Sequence, residues 1–524
     1  MRLDALSAID FYKADHRRQY PEGTELVYSN FTPRSMRLYK GDATEVVVYG
    51  LQGFCKWFLV DMWNETFFNK PKEEVVAKYQ RRLDSSLGDG AVPMDHVEAL
   101  HDLGYLPLEI KGLPEGVSVK EKVATLTVKN TVPEFYWLVN YIESAMSSEL
   151  WKPSVVATIA KEYREILIIY ANLTGASLEG VPIQCHDFSF RGMSGLHDSA
   201  TSGSGHLLSF IGTDGVPSID YLEEYYGGDP TKEIIGCSIP ATEHSVMAMA
   251  GTTGEQELFR HLIEDLYPTG LVSIVSDTWD FWTVVTEYIP ALKDTIMARQ
   301  PNAIGLNKVV LRPDSGDPVK IVTGYLRYAE YDVDNQGNNR EIEWLTDSRG
   351  EFYTQLGRVL LDAEVKGAVE CLWDTFGGTV TDKGYKELDE HIGLIYGDSI
   401  TLERCESILD RMAAKGFASS NCVFGVGSYT YQYNTRDSMG YAMKATYGEV
   451  NGVGREIFKD PATDDGTKKS AKGLLRVDLV DGEYVMRDQV TWDEEAGGEL
   501  KTVFKDSKLY NQTTLAEIRK RIQK

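Results

Sequence analysis

The chain has 524 residues, 42% of them hydrophobic, with 9 Trp, 29 Tyr and 18 Phe. That length allows about three or four domain-sized units, and the apolar content excludes a disordered or collagen-like chain. Its 54 basic and 79 acidic side chains leave a net charge of −25, a field that repels phosphate backbones and argues against nucleic-acid binding. A small polyanion can still bind where basic residues gather locally. The six cysteines (55, 185, 237, 371, 405 and 422) include no CxxC pair. That spacing suits neither a zinc site nor a disulfide framework, so reduced thiols and a cytoplasmic location are expected. The opening stretch MRLDALSAIDFYKADH carries Asp4 and Asp10 and no apolar core of signal-peptide length. The longest apolar runs, such as ILIIYA, are far short of a membrane span.

In chain order, residues 1–60 mix polar turns with a β-rich run, EVVVYGLQGF (45–54). Val75, Val76 and Tyr79, set among charges, predict helix within 70–104. Short strands broken by Gly-Pro turns follow over 105–128. A long helical pattern covers 133–175 and is closed by Gly175. From about 180 the rhythm changes. Seven short apolar or Gly-terminated runs each lead into a loop bearing Asp, Arg, His or Gly: IQCHDFSFRG, HLLSFIGTDG, IIGCSIPATEHS, LVSIVSDTWD, KVVLRPDSGDP, IGLIYGDSI and SNCVFGVGS. Helical windows such as 256–267 and 402–416 lie between them. Repeated strand–loop–helix units predict α/β structure, and polar residues at successive strand ends favour a barrel over a doubly wound sheet. An acidic, polar lobe at 325–381 interrupts the rhythm. Residues 459–475 read as a polar loop, and 476–524 return to strands and a basic helix. The expected domains are 1–150, 151–434 and 435–524, with the first and last forming one β-rich unit.

No GxxxxGK[ST] or GxGxxG loop follows a strand. The segment Arg312-Pro313-Asp314-Ser315-Gly316 holds an Arg suited to forked phosphate contacts and a carboxylate suited to Mg²⁺ or ribose hydroxyls. The plainer alternative is an ion pair at a turn. Glu243-His244 sets a histidine beside a carboxylate, with Asp214, Asp277 and Asp398 as partners from other loops; the alternative is a structural histidine. In His186-Asp187-Phe188-Ser189-Phe190-Arg191-Gly192, Phe188 can stack on a flat ring while Arg191 meets a phosphate. Alternatively Phe188 is core.

Taken together these segments resemble the nicotinamide phosphoribosyltransferases, bacterial, phage-encoded and animal. The likeness runs from Asp10-Phe11-Tyr12-Lys13 and Tyr49-Gly50-Leu51-Gln52, through HDFSFRG, PATEHS and RPDSG in that order, to Thr435-Arg436-Asp437 and Phe458-Lys459-Asp460-Pro461. It implies an irregular α/β barrel of the type II phosphoribosyltransferase kind, with a mostly β domain built from both chain ends. It also implies a homodimer with shared active sites. The implied reaction joins nicotinamide to 5-phosphoribosyl 1-pyrophosphate (PRPP), giving nicotinamide mononucleotide and pyrophosphate with Mg²⁺, and with ATP coupled through a phosphohistidine. Carried over by position, Phe188 and a partner's Tyr12 would sandwich the pyridine ring, and Asp214 would accept from the carboxamide. Arg191 would reach the 5′-phosphate side or the ring. Arg312, Gly397, Asp398, Gly425 and Gly427 would line the ribose phosphate. Asp277 and Asp314 would handle ribose hydroxyls or metal. Arg34, Arg436, Lys444 and Lys459 would surround the pyrophosphate. His244, beside Glu243, would be phosphorylated.

The chain departs from the family at Val426, Ser428 and Tyr429 in the phosphate-side loop, at Gly397-Asp398-Ser399, and in the length of the acidic lobe. The rival expectations are a nicotinate phosphoribosyltransferase, a non-catalytic nucleotide-sensing paralogue and a barrel glycosidase.

Overall fold

A computed structural model describes residues 3–303, 305–458 and 471–523. Six parallel strands form the catalytic half: β1 (Cys185–Asp187), β2 (Gly212–Thr213), β3 (Val272–Val275), β4 (Val309–Arg312), β5 (Ile392–Tyr396) and β6 (Val423–Val426). Their spatial order is β2-β1-β6-β5-β4-β3. The β3 and β5 strands are buried along their whole length, which is why the sequence reads there as unbroken apolar runs.

The segment between Cys237 and Ala241 closes this sheet into a ring. It bridges Gly212 on one side and Ser273 on the other, both in parallel sense. Cys237 N–H donates to the Ile211 carbonyl at 2.7 Å, and Ser273 N–H donates to the Pro240 carbonyl at 2.9 Å. The staves therefore follow one another around the ring in chain order, the arrangement of an α/β barrel with one weak seam. The seam is fastened from far away. Arg519, on the helix Leu515–Ile522, donates to the carbonyls of Leu207, Ile234 and Ile235.

The second unit is a seven-stranded antiparallel sheet. Its spatial order is Val453–Glu456, Ala442–Val450, Thr24–Thr32, Leu126–Asn130, Leu108–Gly112, Lys501–Lys505 and Lys508–Leu509. Both ends of the chain thus build it, as the resemblance implied. The helix Glu143–Thr174 runs across residue 150 and is buried along much of its length. Ser154 and Thr158 on this helix hydrogen-bond the backbone of Val47 and Tyr49. Gly175 ends it in the left-handed conformation, at φ 75°.

One sequence expectation fails. Of the run 45–54, only Glu45–Val47 is strand, and Leu51–Phe54 begins a helical stretch that continues to Phe68. Gly50, at φ 102°, makes the turn. Leu51, Phe54, Cys55, Phe58 and Leu59 are all buried, and their spacing is helical. The exposed part of the acidic lobe is a meander, Tyr331–Val333, Asn339–Thr346 and Phe352–Val359. The chain is back in the core by the helix Ala368–Phe376, where Val369 and Leu372 are buried. The expected loop at 459–475 lies mostly outside the described residues. No helix among the described residues is long and apolar enough to cross a membrane.

Candidate active site

Each stave ends in a residue singled out above. Phe188 follows β1, Asp214 follows β2, Glu243 and His244 follow the seam, and Asp277 follows β3. Arg312 ends β4 with Asp314 two residues on, Gly397 follows β5, and Gly427 follows β6. Parallel staves end at one mouth, so residues up to about 240 positions apart in sequence converge there.

Arg312 is the hub. Its Nη2 donates to the Thr242 carbonyl at 2.7 Å, and its guanidinium carbon lies 5.8 Å from the centre of the Phe188 ring. Its Nε is 3.8 Å from Asp314 Oδ1. Asp314 N–H donates to Asp277 Oδ2 at 2.9 Å, and His244 Nε2 lies 3.3 Å from Asp277 Oδ1. Asp277 is nearly buried, while the His244 side chain is about half exposed at 52%. Glu243 precedes the helix His244–Met249 and accepts a hydrogen bond from Ser245.

Burial pushes the Asp314 carboxyl above its ordinary range; Arg312 pulls it back and Asp277 adds to the rise. Burial also acts to raise Asp214, but hydrogen bonds from His186 and Ser238, with Arg312 nearby, outweigh it and hold this carboxyl low. His186 Nε2 is 2.8 Å from Asp214 Oδ1, and Ser238 Oγ donates to the same oxygen at 2.6 Å.

The glycines make room for this packing. A β-carbon on Gly397 would come within 1.9 Å of Asp314 Oδ1, and one on Gly425 within 2.7 Å of the Phe188 ring. Gly427 carries no such crowding; a β-carbon there would lie 4.0 Å from the nearest atom, Ser399 N. The turn after β4 is braced by the Tyr396 hydroxyl, which donates to the Gly316 carbonyl at 3.1 Å. Asp398 is exposed beside Ser399, which takes φ 54°. Arg191 is exposed on the loop after β1.

The remaining candidates belong to the antiparallel sheet region and to the start of the chain. Arg34 and Arg436 flank one turn: Arg34 Nε donates to the Gly440 carbonyl at 3.2 Å, and Tyr441 N–H donates to the Arg436 carbonyl at 3.0 Å. Gly440 is needed there, since at φ 62° a β-carbon would come within 2.9 Å of Ser35 N. Lys444 is exposed on the adjoining strand opposite Asn30. Tyr12 is 62% exposed and contacts His16 and Lys13. Lys459 lies outside the described residues.

A divalent cation has a modest donor set here. Asp277 Oδ1 and Asp314 Oδ1 are buried without a hydrogen-bond partner. Among the described residues, no group of three or more His, Cys, Asp or Glu side chains is placed to hold a metal. One or two carboxylates fit Mg²⁺ that arrives with substrate phosphates and keeps its waters, not a protein-enclosed ion.

Sequence reasoning gave no role to His186, Ser238 or Thr242. His186 was detectable in principle. It lies two residues before Phe188, and that spacing on an extended strand puts both side chains on one face. Their rings are 4.6 Å apart. The contacts of Ser238 and Thr242 depend on how the seam registers against its neighbours, which no local pattern encodes.

Comparison with known proteins gives the class. Residues 183–508 match the nicotinate phosphoribosyltransferase (NAPRTase) family, and residues 4–110 match the nicotinamide phosphoribosyltransferase N-terminal domain. The chain belongs to the nicotinate phosphoribosyltransferase family. A nicotinamide phosphoribosyltransferase of Acinetobacter baylyi is 56% identical, covering 99% of this chain and 97% of the relative. One from Mycoplasma pneumoniae is 32% identical, covering 90% and 95%. Among solved structures, a nicotinate-nucleotide pyrophosphorylase of Pyrococcus furiosus aligns with TM-score 0.55 at 12% identity, covering 99% and 95%. The human nicotinic acid phosphoribosyltransferase aligns with TM-score 0.51 at 15% identity, covering 98% and 92%. These two likenesses bear on the fold, an α/β barrel joined to an antiparallel sheet domain.

Proposed function

We propose that this protein is a nicotinamide phosphoribosyltransferase. It joins nicotinamide to PRPP, makes nicotinamide mononucleotide and pyrophosphate, and so opens NAD salvage. The observation that carries this reading is Asp214, a carboxylate kept ionised beside an aromatic face. Its Oδ1 takes both protein hydrogen bonds, which leaves Oδ2 to accept from an amide NH₂. A like-charged nicotinic acid would meet repulsion on the order of several kcal/mol. The names of the full-length relatives support the same assignment.

The pyridine nitrogen is a weak nucleophile, so the ribose C1 must gain positive character before attack. The enzyme gains most by positioning the base and stabilising the departing pyrophosphate. In this reading Phe188 supplies one face for the pyridine ring, and Tyr12 of the partner subunit supplies the other. Arg191 reaches the 5′-phosphate side or the ring. Arg312 reaches toward the ribose phosphate beside Gly397 and Gly425, whose missing side chains admit Asp314 and Phe188, with Gly427 and Asp398 on the same rim. Arg34, Arg436, Lys444 and Lys459 of the partner subunit neutralise the pyrophosphate. Mg²⁺, when bound, would neutralise diphosphate charge; Asp277 and Asp314 are the residues that would hold it.

ATP coupling belongs to the same proposal. His244 Nε2 lies 3.3 Å from Asp277 Oδ1; with the proton on Nε2, the Nδ1 lone pair would attack the γ-phosphorus as the bond to the β–γ bridging oxygen breaks and ADP leaves. Asp277 is in turn fixed by the Asp314 N–H. The homodimer and the cytoplasmic location are part of the proposal as well.

The test is a steady-state assay of mononucleotide formation from PRPP with nicotinamide or nicotinic acid, with and without ATP. Strong preference for nicotinamide supports the proposal. Equal or better use of nicotinic acid overturns it in favour of a nicotinate enzyme, and no product from either base overturns it in favour of a non-catalytic protein.

A further inference from the structure

We propose that His186, acting with Ser238, is a positioning residue for base selection. The two donors pin one oxygen of Asp214, so that only the other is offered to the incoming base. This inference rests on the amide reading above.

The geometry is specific. A carboxylate only accepts, so the hydrogen between His186 and Asp214 sits on His186 Nε2. That contact is 2.8 Å long, and the Ser238 hydroxyl reaches the same Oδ1 at 2.6 Å. The three residues come from three neighbouring staves: β1, β2 and the seam. His186 and Gly212 are paired in register across β1 and β2. A β-carbon on Gly212 would fall 2.9 Å from His186 Nδ1, so the missing side chain is what lets the imidazole lie across its neighbour. The same imidazole packs 4.6 Å from the Phe188 ring. One side chain thus touches both the surface proposed to stack the base and the carboxylate proposed to read its amide.

The clamp has a chemical purpose. The Asp214 side chain is 43% exposed, and an unrestrained carboxylate there could rotate or take up a proton. A protonated Asp214 would donate to the carboxylate of nicotinic acid and welcome the wrong base. Two donors on Oδ1 favour the ionised form and fix the direction of Oδ2.

The experiment uses the full chain, PRPP, Mg²⁺ and each base in turn. His186→Leu should raise KM for nicotinamide about tenfold with a smaller change in kcat, and lower the amide-to-acid ratio of kcat/KM by about ten- to a hundredfold. His186→Gln carries an N–H near the place of Nε2 and should recover most of that ratio. Ser238→Ala should lower the ratio less than His186→Leu does. In an Asp214→Ser background, His186→Leu should lower the ratio no further, since its effect passes through Asp214. A folded His186→Leu enzyme with an unchanged ratio, or an equal loss in the Asp214→Ser background, overturns the inference. Should His186→Leu not fold, Ser238→Ala and His186→Gln decide: an unchanged ratio in the first, or a ratio not restored in the second, overturns it. If Asp214→Ser itself leaves the ratio unchanged, the amide reading fails. If Asp214→Ser lowers the ratio and His186→Leu does not, only the clamp fails.

Discussion

At the barrel mouth, Arg312, Asp314, Asp277 and His244 are each held by a neighbour, and two carboxylate oxygens are buried without a hydrogen bond. On the antiparallel sheet, Arg34 and Arg436 flank a turn and both are exposed, Arg34 Nε resting on the Gly440 carbonyl and Arg436 beside Asp437. The first region is interlocked and its charges are partly desolvated. The second is a set of solvated cations on a firm backbone. Preorganised, desolvated groups act strongly over short distances, whereas solvated cations act over longer ones and weaken with salt. In the proposed function, it is local cations such as Arg34 and Arg436 that let a chain of charge −25 accept a polyanion.

The contrast yields graded expectations. Arg312→Ala removes the hub and should lower kcat/KM about a thousandfold, measured by mononucleotide formation. A loss below tenfold would mean that the mouth is not organised around this residue. Gly397→Ala drives a β-carbon into Asp314 and should cost about a hundredfold in kcat/KM, with a thermal midpoint close to that of the parent. Near-normal activity would show that the mouth is softer than its packing suggests. Arg34→Ala or Arg436→Ala should each raise KM for PRPP about tenfold and leave KM for nicotinamide nearly fixed. Added salt should shrink that difference, because it screens in the parent the charge that the variant lacks. Salt-independent loss would place these arginines in the interlocked class.

The smallest effect concerns pH. The Asp214 carboxyl is held low, burial opposing and the His186 and Ser238 hydrogen bonds prevailing. A depressed carboxyl stays ionised above its folded value, and the stability it adds is lost only as pH falls through that value. KM for nicotinamide, whose amide does not titrate, should therefore change by less than about twofold through this carboxyl between pH 8 and pH 6. A steep change across that window would mean that the carboxylate is not held as described.

Much of the barrel was legible in sequence. Most staves are short apolar runs ending in a loop that carries chemistry; the exception is Gly212–Thr213, because Leu207 and Leu208 leave the helix Leu196–His206 in a turn. The long helix closed by Gly175 was equally readable. The helical stretch from Leu51 was not, because the β-branched run before Gly50 draws the eye onward. Its pattern, Leu51, Phe54, Cys55, Phe58 and Leu59, was in plain view but short at the point where it begins. At the site, residue types at stave ends were legible, while the pairings among them were not. Ser238 meets Asp214 only because the seam lies beside β2, and that is a fact of non-local register. The basic residues drew their significance from family resemblance, since isolated exposed arginines carry no signal of their own.

The latch made by Arg519 has a consequence for biosynthesis. The segment leading to Ser238 and His244 is secured by a guanidinium almost 300 positions downstream. Emerging from the ribosome, the earlier staves can assemble long before that arginine is made. Synthesis thus separates in time the staves from the guanidinium that fastens their seam.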